Sequence, residues 1–261
     1  MSQVQHMVQS LSLISCISLA QSKAVVPSGT YMLIKASFKG PCKASIEIQV
    51  QGKLTAPTNG NKLIRLDTQV SFEHFNKLIV SGGGTFDGQG ALSWKKNDCN
   101  KNKDCKSIAI NMRFNFVTNS TIQDITSLNN KNFHINILRC HNVTFQHFNV
   151  MAPRESINTD GIYIGRSTGI NITDAHIGTR DDCVSIGDGN KEITITRVTC
   201  GPSHGISVGS LGSSGIPCEK VELADINLTY NGNKGPLTSQ GSNVKPTITR
   251  VPNALACATS S

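Results

Sequence analysis

The sequence contains few aromatic residues and no long apolar run. Phe, Trp and Tyr make up only 5% of the 261 residues, whereas glycine occurs 23 times. Beyond residue 22, no stretch shows the 3.6-residue period of an amphipathic helix. The apolar run at residues 11–20 is too short to span a bilayer. These absences exclude a helical bundle and a membrane-spanning helix, and they favour a domain with many turns and aliphatic packing.

A concentrated basic patch is also missing. The formal net charge is +8, but the basic residues are scattered. The densest stretch, 95–106, is interrupted by Asp98, Asp104 and two cysteines. This distribution argues against a nucleic acid partner. A basic protein can attract an acidic polymer, but the same charge also serves solubility alone, so charge does not choose between these interpretations.

Nine cysteines are many for a cytosolic protein. None of them forms the paired Cys-x-x-Cys set of a zinc site, so no metal site is predicted. Cys99 and Cys105 are candidates for closing a short loop, and Cys183 and Cys200 for joining adjacent repeats. Because the count is odd, at least one cysteine stays unpaired.

Four N-glycosylation sequons favour a secreted glycoprotein. They lie at Asn119, Asn142, Asn171 and Asn227. Residues 1–22 are interpreted as a degenerate signal-like segment or, alternatively, as a disordered terminus. Ser18 and Ala20 suit signal cleavage, but residues 1–10 contain no Lys or Arg, whereas a signal peptide usually starts with positive charge. Residues 23–261 are predicted to form one domain.

Three short segments repeat at a fixed interval. They begin at Asp160, Asp182 and His204, are 22 residues apart, and alternate in the manner of a strand. A repeat of this length indicates a solenoid. Equivalent residues on adjacent parallel coils lie about 4.8 Å apart, so these side chains are predicted to share one face, with Asp181 beside Asp182. Carboxylates gathered in this way are what glycoside hydrolysis requires.

A second pattern places apolar or small residues at offsets 0, 2, 5 and 7. Its clearest copy consists of Val143, Phe145, Phe148 and Val150, and other copies start at residues 120, 170, 193 and 221. Offsets 0 and 2 fit one buried strand, and offsets 5 and 7 fit a second strand after a bend. With the 22-residue repeat, each coil has about three short strands. We therefore predict an all-β, single-stranded right-handed parallel β-helix, since parallel crossovers are overwhelmingly right-handed.

The motifs around these residues resemble those of a known family. Asn158-Thr159-Asp160, residues 178–183 (Gly-Thr-Arg-Asp-Asp-Cys) and residues 201–205 (Gly-Pro-Ser-His-Gly) are similar to three consecutive motifs of the polygalacturonases. Residues 82–90 resemble the plant pollen-type exopolygalacturonases. Taken alone, their glycines are interpreted as a tight turn and not as a phosphate-binding loop. The resemblance extends from about Val25 to the C-terminus.

The resemblance implies a secreted polygalacturonase of the cell wall, exo-acting, that hydrolyses α-1,4-galacturonosyl bonds with inversion. Its partner is pectic homogalacturonan, an acidic polysaccharide, and neither a metal nor another cofactor is required. We expect a monomer. Two other interpretations stay open. One is an impaired or misassembled family member that at most binds pectin. The other is a calcium-dependent pectate lyase, although the acidic motif has the hydrolase form.

The resemblance also implies a role for each site residue. Asp181 would be the general acid, and His204 would tune or position it. Asp160 and Asp182 would activate water from the opposite face. Inversion leaves roughly 6.5–9.5 Å between acid and base, and carboxylate crowding should raise the pKa of the acid.

Further residues are predicted to bind substrate, with two glycines allowing close approach to the backbone. They are Asn158, Gly161, Tyr163, Arg180, Gly205 and Ser207. Simpler interpretations exist for single residues: a turn cap for one aspartate, a structural role for His204, and surface exposure for Tyr163, Ser185 and Ser207.

Departures from the family pattern point to missing sequence. The coil with Arg-x-Lys, which grips the substrate carboxylate in the family, is absent, and the join near residues 210–216 looks like an internal deletion of whole coils. The opening coil expected before Val25 is also absent, so the predicted helix is truncated. Cys42 would have lost its upstream partner, and Cys218 would be unpaired because Gly241 replaces the expected cysteine.

Overall fold

The structure is a computed structural model. It describes residues 6–11, 20–59, 66–96, 108–208, 217–229 and 246–251, with 6–11 described by their backbone alone. These residues form twenty β-strands and one short helix. Every pairing between these strands is parallel. In the described part of the chain, no helix is long and apolar enough to cross a membrane.

The strands follow one another along the coils, and their hydrogen-bonded partners lie on adjacent coils. In chain order the elements are β1 (His6–Leu11), β2 (Ser22–Val26), β3 (Thr30–Lys39), β4 (Ile46–Val50), β5 (Lys53–Thr55), β6 (Thr68–Glu73), β7 (Leu78–Ser81), β8 (Thr85–Asp87), α1 (Ala91–Lys96), β9 (Ile110–Asn115), β10 (Thr118–Gln123), β11 (Thr126–Leu128), β12 (Ile135–Leu138), β13 (His141–Met151), β14 (Ile162–Gly165), β15 (Thr168–Gly178), β16 (Val184–Ile186), β17 (Lys191–Cys200), β18 (Ile206–Val208), β19 (Glu219–Leu228) and β20 (Thr247–Thr249).

The predicted parallel β-helix is confirmed. β14, β16 and β18 stack on one face, while β13, β15, β17 and β19 stack beside them. In these coils the two strands predicted from the offset pattern form one continuous element, because a single residue with positive φ makes the bend. His147, Asp174 and Arg197 occupy this bend, with φ of 49°, 52° and 51°. The hydrogen-bond ladder therefore continues around the corner.

The core consists of side-chain ladders that run along the helix axis. One ladder, at most 1% exposed throughout, consists of Val143, Ile170, Ile193 and Val221. The few aromatic residues are concentrated in another: the rings of Phe38 and Phe72 stack 5.2 Å apart, and those of Phe72 and Phe114 stack 4.9 Å apart. Each fully buried side chain contributes roughly 1.5–3 kcal/mol, so the coils stabilise one another without a second layer.

The chain is in phase on both sides of the predicted deletion. Residues 209–216 lie outside the described residues, but β19, shortly after them, pairs with β17 from Lys191 opposite Glu219 to Cys200 opposite Leu228. β17 pairs with β15 in the same way. Near the N-terminus, β1 pairs with β3, and the rest of the predicted signal-like segment up to residue 19 is outside the described part.

The predicted pair Cys183 and Cys200 forms a disulfide, with the two Cα atoms 5.7 Å apart. This bond joins the residue after Asp182 to the end of β17. Cys218 is free, as predicted, and so is the buried Cys140. The disulfide therefore ties the segment with the predicted carboxylates to the adjacent strand.

The prediction for Cys42 was wrong, because Cys42 is disulfide-bonded. All other described cysteines are either free or joined to each other, so its partner lies outside the described residues. The predicted pair Cys99 and Cys105 also lies outside the described residues.

Shortening one rung of a core ladder should destabilise the helix. Ile172 is fully buried between Phe145 and Ile195, so Ile172→Ala leaves a cavity and is expected to lower the free energy of unfolding by about 2–5 kcal/mol. His176 is exposed on the same strand, and His176→Ala should change that energy by less than about 0.5 kcal/mol. Urea unfolding measures both variants, and equal effects would show that the ladder is not the main source of stability.

Candidate active site

Asp160, Asp182 and His204 occupy equivalent positions on successive coils. Each stands two residues before a strand of one face, namely β14, β16 and β18, and these strands pair without a shift in register. The residues therefore form one column, as their spacing predicts. Backbone hydrogen bonds close the column, from Gly161 N to Asp182 O at 2.8 Å and from His204 N to Asp181 O at 3.0 Å.

Two serines hold the carboxylates of this column. The Ser185 hydroxyl donates to Asp160 Oδ2 at 2.5 Å and lies 3.2 Å from Asp182 Oδ2. The Ser207 hydroxyl donates to the same Asp182 oxygen at 2.5 Å. Ser185 and Ser207 are themselves register partners on β16 and β18. A column of hydroxyl groups therefore lies beside the column of carboxylates and contacts it directly.

Asp181 is oriented by its own backbone and by a histidine. Its Oδ1 accepts the Asp182 N–H at 3.0 Å and lies 3.3 Å from His204 Nδ1. The His204 side chain is 60% exposed, so it reaches the carboxylate from the solvent side. The geometry suits the predicted positioning role.

Burial raises the pKa of Asp160 to about 6. The residue is only 9% exposed, so desolvation of the charged carboxylate is the largest cause. The charges of Asp181 and Asp182 raise the pKa further, while the hydrogen bond from Ser185 lowers it. The sequence argument placed a raised pKa on the general acid. In the structure the raised pKa belongs to Asp160. The repeat pattern did not show that this residue is buried.

The carboxylates of Asp181 and Asp182 are close together. One oxygen of each, and one nitrogen of His204, lie within 4.8 Å of one another. This spacing is shorter than the roughly 6.5–9.5 Å expected between acid and base in an inverting hydrolase. A water molecule therefore does not fit between these two carboxylates in the way that inversion requires. The same three groups are of the types that bind cations, but exposed acidic groups commonly gather without an ion, and we assign no metal here.

Tyr163 extends the hydroxyl column by one coil. It pairs with Ser185 in register, is half-buried, and its ring stacks on Phe133 with the centroids 6.2 Å apart. An aromatic surface beside carboxylates suits a sugar ring with polar edges. The motif comparison pointed to Tyr163 but missed Phe133, which occupies the position of Asp160 one coil earlier.

Asn158 and Arg180 lie on the loops that precede the column. Asn158 is exposed, has φ of 59° and donates to Asn132 Oδ1 at 3.3 Å. Arg180 is exposed directly before Asp181. Both predicted substrate-binding residues are thus on the accessible side of the site.

Gly161 and Gly205 have local reasons to be glycine. A Cβ on Gly161 would lie 2.4 Å from Ile177 and 2.5 Å from the carbonyl oxygen of Cys183. Gly205 has φ of +97°, which side chains rarely allow, although its nearest neighbour, Leu228, is 3.6 Å from the Cβ position. Packing requires the first glycine and backbone conformation requires the second. Close approach of a substrate stays a prediction for both.

Register also identifies residues that the motifs did not mark. The column continues upstream of Tyr163 through Asn136 and Arg113. Asn136 is 9% exposed, and its Oδ1 has no hydrogen-bond partner. The Arg113 guanidinium contacts the exposed carboxylate of Asp67. Counting back from Tyr163 would have found both residues only if the loop lengths, which differ between coils, had been known.

Two lysines, one buried and one partly exposed, bind the glycine-rich turn of residues 82–90. Lys131, 3% exposed, donates to the carbonyl oxygen of Gly88, and Lys53 Nζ lies 2.7 Å from Asp87 Oδ2. Burial lowers the pKa of Lys131 to about 8, against the opposing effect of the Asp87 charge. The stretch is therefore a packed turn, which agrees with the interpretation from its sequence.

Replacing Asp160 should change how stability depends on pH. A carboxyl whose pKa is raised by folding stabilises the fold fully below its ordinary pKa of 3.8, and it loses that contribution as the pH rises through about 6. Asp160→Asn cannot ionise. Its stability relative to wild type should therefore rise by about 2 kcal/mol between pH 4 and pH 7, at about 1.4 kcal/mol per pKa unit.

Urea unfolding at the two pH values measures this difference. Asp124→Asn removes an exposed carboxylate on a corner of the helix and serves as the control, with a much smaller expected change. A pH-independent difference for Asp160→Asn would show that Asp160 is not desolvated in the folded protein.

Solved structures share this fold. The chain matches an endo-xylogalacturonan hydrolase from Aspergillus tubingensis with a TM-score of 0.67 and 24% identity, over 87% of this chain and 63% of that one. It matches a polygalacturonase from Erwinia carotovora ssp. carotovora with a TM-score of 0.65 and 19% identity, over 95% and 78%. At these identities the likeness shows the fold alone, a right-handed parallel β-helix.

Curated plant proteins are more similar in sequence. An exopolygalacturonase of Platanus acerifolia is 50% identical over 199 residues, which is 76% of this chain and 52% of that protein. A polygalacturonase of Gossypium barbadense is 45% identical over 221 residues, covering 84% and 54%. The chain thus spans about half the length of these relatives. An exopolygalacturonase of Oenothera organensis is 36% identical over 334 residues, covering 90% and 92%. That alignment is longer than the chain and steps over residues that the chain lacks.

The family model described as "Glycosyl hydrolases family 28" matches residues 16–215. This range includes Asp160, Asp181, Asp182 and His204. The match covers well over half of the chain and agrees with the fold and with the arrangement of the carboxylates. The chain therefore belongs to glycosyl hydrolases family 28.

Proposed function

We propose that the chain is a polygalacturonase that hydrolyses α-1,4-galacturonosyl bonds of pectic homogalacturonan with inversion. The observation that carries this proposal is the assembly of three carboxylates and His204 on one face, through hydrogen bonds of 2.5–3.2 Å and a contact of 3.3 Å between His204 and Asp181. Glycoside hydrolysis needs carboxyl groups on both sides of the bond. The curated relatives named polygalacturonase or exopolygalacturonase support this substrate, and the proposed chemistry needs no metal or other cofactor.

Asp181 is assigned the role of general acid. Its Oδ1 is engaged by the Asp182 N–H and by His204, which leaves Oδ2 to carry the proton towards the glycosidic oxygen. The carboxyl is about one-third exposed, so a substrate can reach it. A positioned proton donor of this kind contributes roughly 10²–10⁴-fold to the rate.

Asp160 and Asp182 are assigned the activation of water. The Ser185 hydroxyl lies against the Oδ2 atoms of both carboxylates, so the two charges are held side by side. Since the pKa of Asp160 is raised to about 6, its carboxylate is a better proton acceptor than an ordinary aspartate, and it is ionised above that pH. Asp160 reaches the bond from a different coil than Asp181, whereas Asp182 is the residue next to Asp181 in the chain.

The setting of the reaction follows from the same relatives. We infer that the protein is secreted and acts in the plant cell wall, since the relatives are plant polygalacturonases and the sequon residues Asn119, Asn142 and Asn227 are exposed. Two relatives named exopolygalacturonase support exo action. The carboxylates and His204 all come from one chain, which supports a monomer.

We infer that this chain binds the substrate carboxylate with fewer charged contacts, because it lacks the family's Arg-x-Lys pair. Two observations support removal of whole coils near 210–216: β19 is in register with β17, and the alignment with the Oenothera organensis protein is longer than the chain. Charge-assisted hydrogen bonds contribute about 1.5–3 kcal/mol each. The net charge of +8 does not replace them, because diffuse charge is screened by salt. Arg180 is assigned the remaining contact.

Removing the acid should remove most of the activity. Asp181→Asn keeps the size of the side chain but cannot donate a carboxylic proton, so turnover on polygalacturonate should fall by roughly 10²-fold or more. Release of reducing ends measures it, with Asp124→Asn, on an exposed corner, as the control. Activity within a few-fold of wild type would take the acid role away from Asp181.

Restoring the missing coils should raise activity. A chain with an Arg-x-Lys coil inserted between residues 209 and 217 regains two charged contacts, each worth about 1.5–3 kcal/mol, so kcat/KM should rise by about 10³-fold. Both chains are assayed on polygalacturonate in the same buffer. Equal efficiencies would mean that other groups, such as Arg180 or Lys234, fully replace the missing Arg-x-Lys pair, and our inference about the deletion would fail.

A further inference from the structure

Ser185 lies between the two carboxylates to which we assign the activation of water. We propose that Ser185 is a positioning residue that couples the protonation of Asp160 and Asp182 by turning its single hydroxyl proton from one carboxylate to the other. The inference rests on the proposed function, because it specifies how the two bases act together. Ser185 touches the bases and not the reacting sugar.

The distances carry this proposal. Ser185 Oγ lies 2.5 Å from Asp160 Oδ2 and 3.2 Å from Asp182 Oδ2, so both oxygens are within reach. A hydroxyl has one proton and two lone pairs, and it therefore donates to only one of the two carboxylates at a time. We assign the proton to the shorter contact, the one with Asp160, when both carboxylates are ionised. Asp182 then accepts a hydrogen bond from Ser207, whose hydroxyl donates to Asp182 Oδ2 at 2.5 Å.

The surroundings of Ser185 keep it at this position. The residue is 2% exposed, and its neighbours on β16, Val184 and Ile186, are fully buried in the core. β16 is paired on both sides, with β14 and β18. The backbone is therefore fixed, and rotation of the hydroxyl proton is the motion that remains. In such a water-poor site a hydrogen bond to a charged group is strong.

The proton count balances in each state. The attacking water transfers one proton to Asp160 Oδ2 as its oxygen bonds to the sugar carbon; the glycosidic C–O bond breaks in the same step, and the leaving oxygen takes the proton of Asp181. The new carboxylic O–H of Asp160 then donates to Ser185 Oγ, and Ser185 turns its own proton towards Asp182 Oδ2. Ser185 gains and loses nothing, while Asp182 receives a second hydrogen bond and remains ionised. The serine thus stabilises the state in which one base is protonated and the other is charged.

The charged groups around Asp160 are consistent with this coupling. Asp181 and Asp182, on the next coil, raise the pKa of Asp160, and the Ser185 hydrogen bond lowers it. His204 contacts Asp181. On the preceding coil, His134 donates its backbone N–H to Asp160 O at 2.9 Å, and burial lowers the pKa of its imidazole to about 3, so it adds no charge. Removing the Ser185 hydroxyl should therefore raise the pKa of Asp160.

Ser185→Ala tests the proposal through two pH profiles. The acidic limb of kcat/KM on polygalacturonate should move up by about one pH unit, a roughly tenfold loss at a fixed pH on that limb. The upper end of the pH range in which stability falls, followed by urea unfolding, should move up by the same amount, because it is set by the pKa of Asp160 in the folded protein. Ser71→Ala is the matched control, since it removes an equally buried hydroxyl, 2% exposed and bonded to Ser37, four coils away, and it should leave both profiles unchanged. If Ser185→Ala does not fold, Ser185→Thr and Ser185→Val replace it, and only the valine should shift the profiles.

The two measurements separate the possible failures. A wild-type chain that releases no reducing ends overturns the proposed function, while the stability profile still tests the contact between Ser185 and Asp160. Unchanged profiles in Ser185→Ala overturn the coupling. An equal shift in Ser71→Ala also overturns it, because the loss of any buried hydroxyl would then explain the result.

Discussion

The parallel hydrogen-bond ladder between coils is the interaction on which the rest of the structure depends. Parallel pairing repeats at about 4.8 Å without changing the order of residues along the strand. A residue type that recurs once per coil therefore forms a column, and the register β14–β16–β18 shows no slip. This one constraint produces both the inner ladders of Val, Ile and Phe and the outer column of Asp160, Asp182 and His204.

The corners between strand segments keep the ladder regular although the coils differ in length. Single residues in the left-handed region, among them Asp174, Arg197 and Asp225, turn the chain while the strands on both sides stay paired. Charges alternate along this corner, where Arg197 binds Asp174 and Arg250 binds Asp225. A corner needs only one residue, so differences in coil length occur in the loops before β14 and β16. These loops supply Asp160, Asp181 and Asp182.

The crowding of three carboxylates has an electrostatic cost that the fold offsets locally. Burial and neighbouring charge raise the pKa of Asp160, while Ser185 stabilises its ionised form. Ser207 donates a hydrogen bond to Asp182, and the Asp182 N–H and His204 face Asp181. The partners are short side chains and backbone groups on paired strands, which hold the carboxylates in place at little entropic cost. A site assembled from flexible surface loops would not have this rigidity.

The sequence by itself determined the repeat, and with it the parallel β-helix, the column of Asp160, Asp182 and His204, and the pairing of Cys183 with Cys200. Each of these depends only on spacing along the chain, which the ladder converts directly into position. The tertiary structure decided what spacing does not encode: that Ser185 bridges two carboxylates, that Asp160 is the buried one, that Gly161 is required by Ile177, and that Cys42 is bonded. These features depend on which side chains meet across coils and how deeply they are buried. Loops of unequal length set both, and no repeat in the sequence records them.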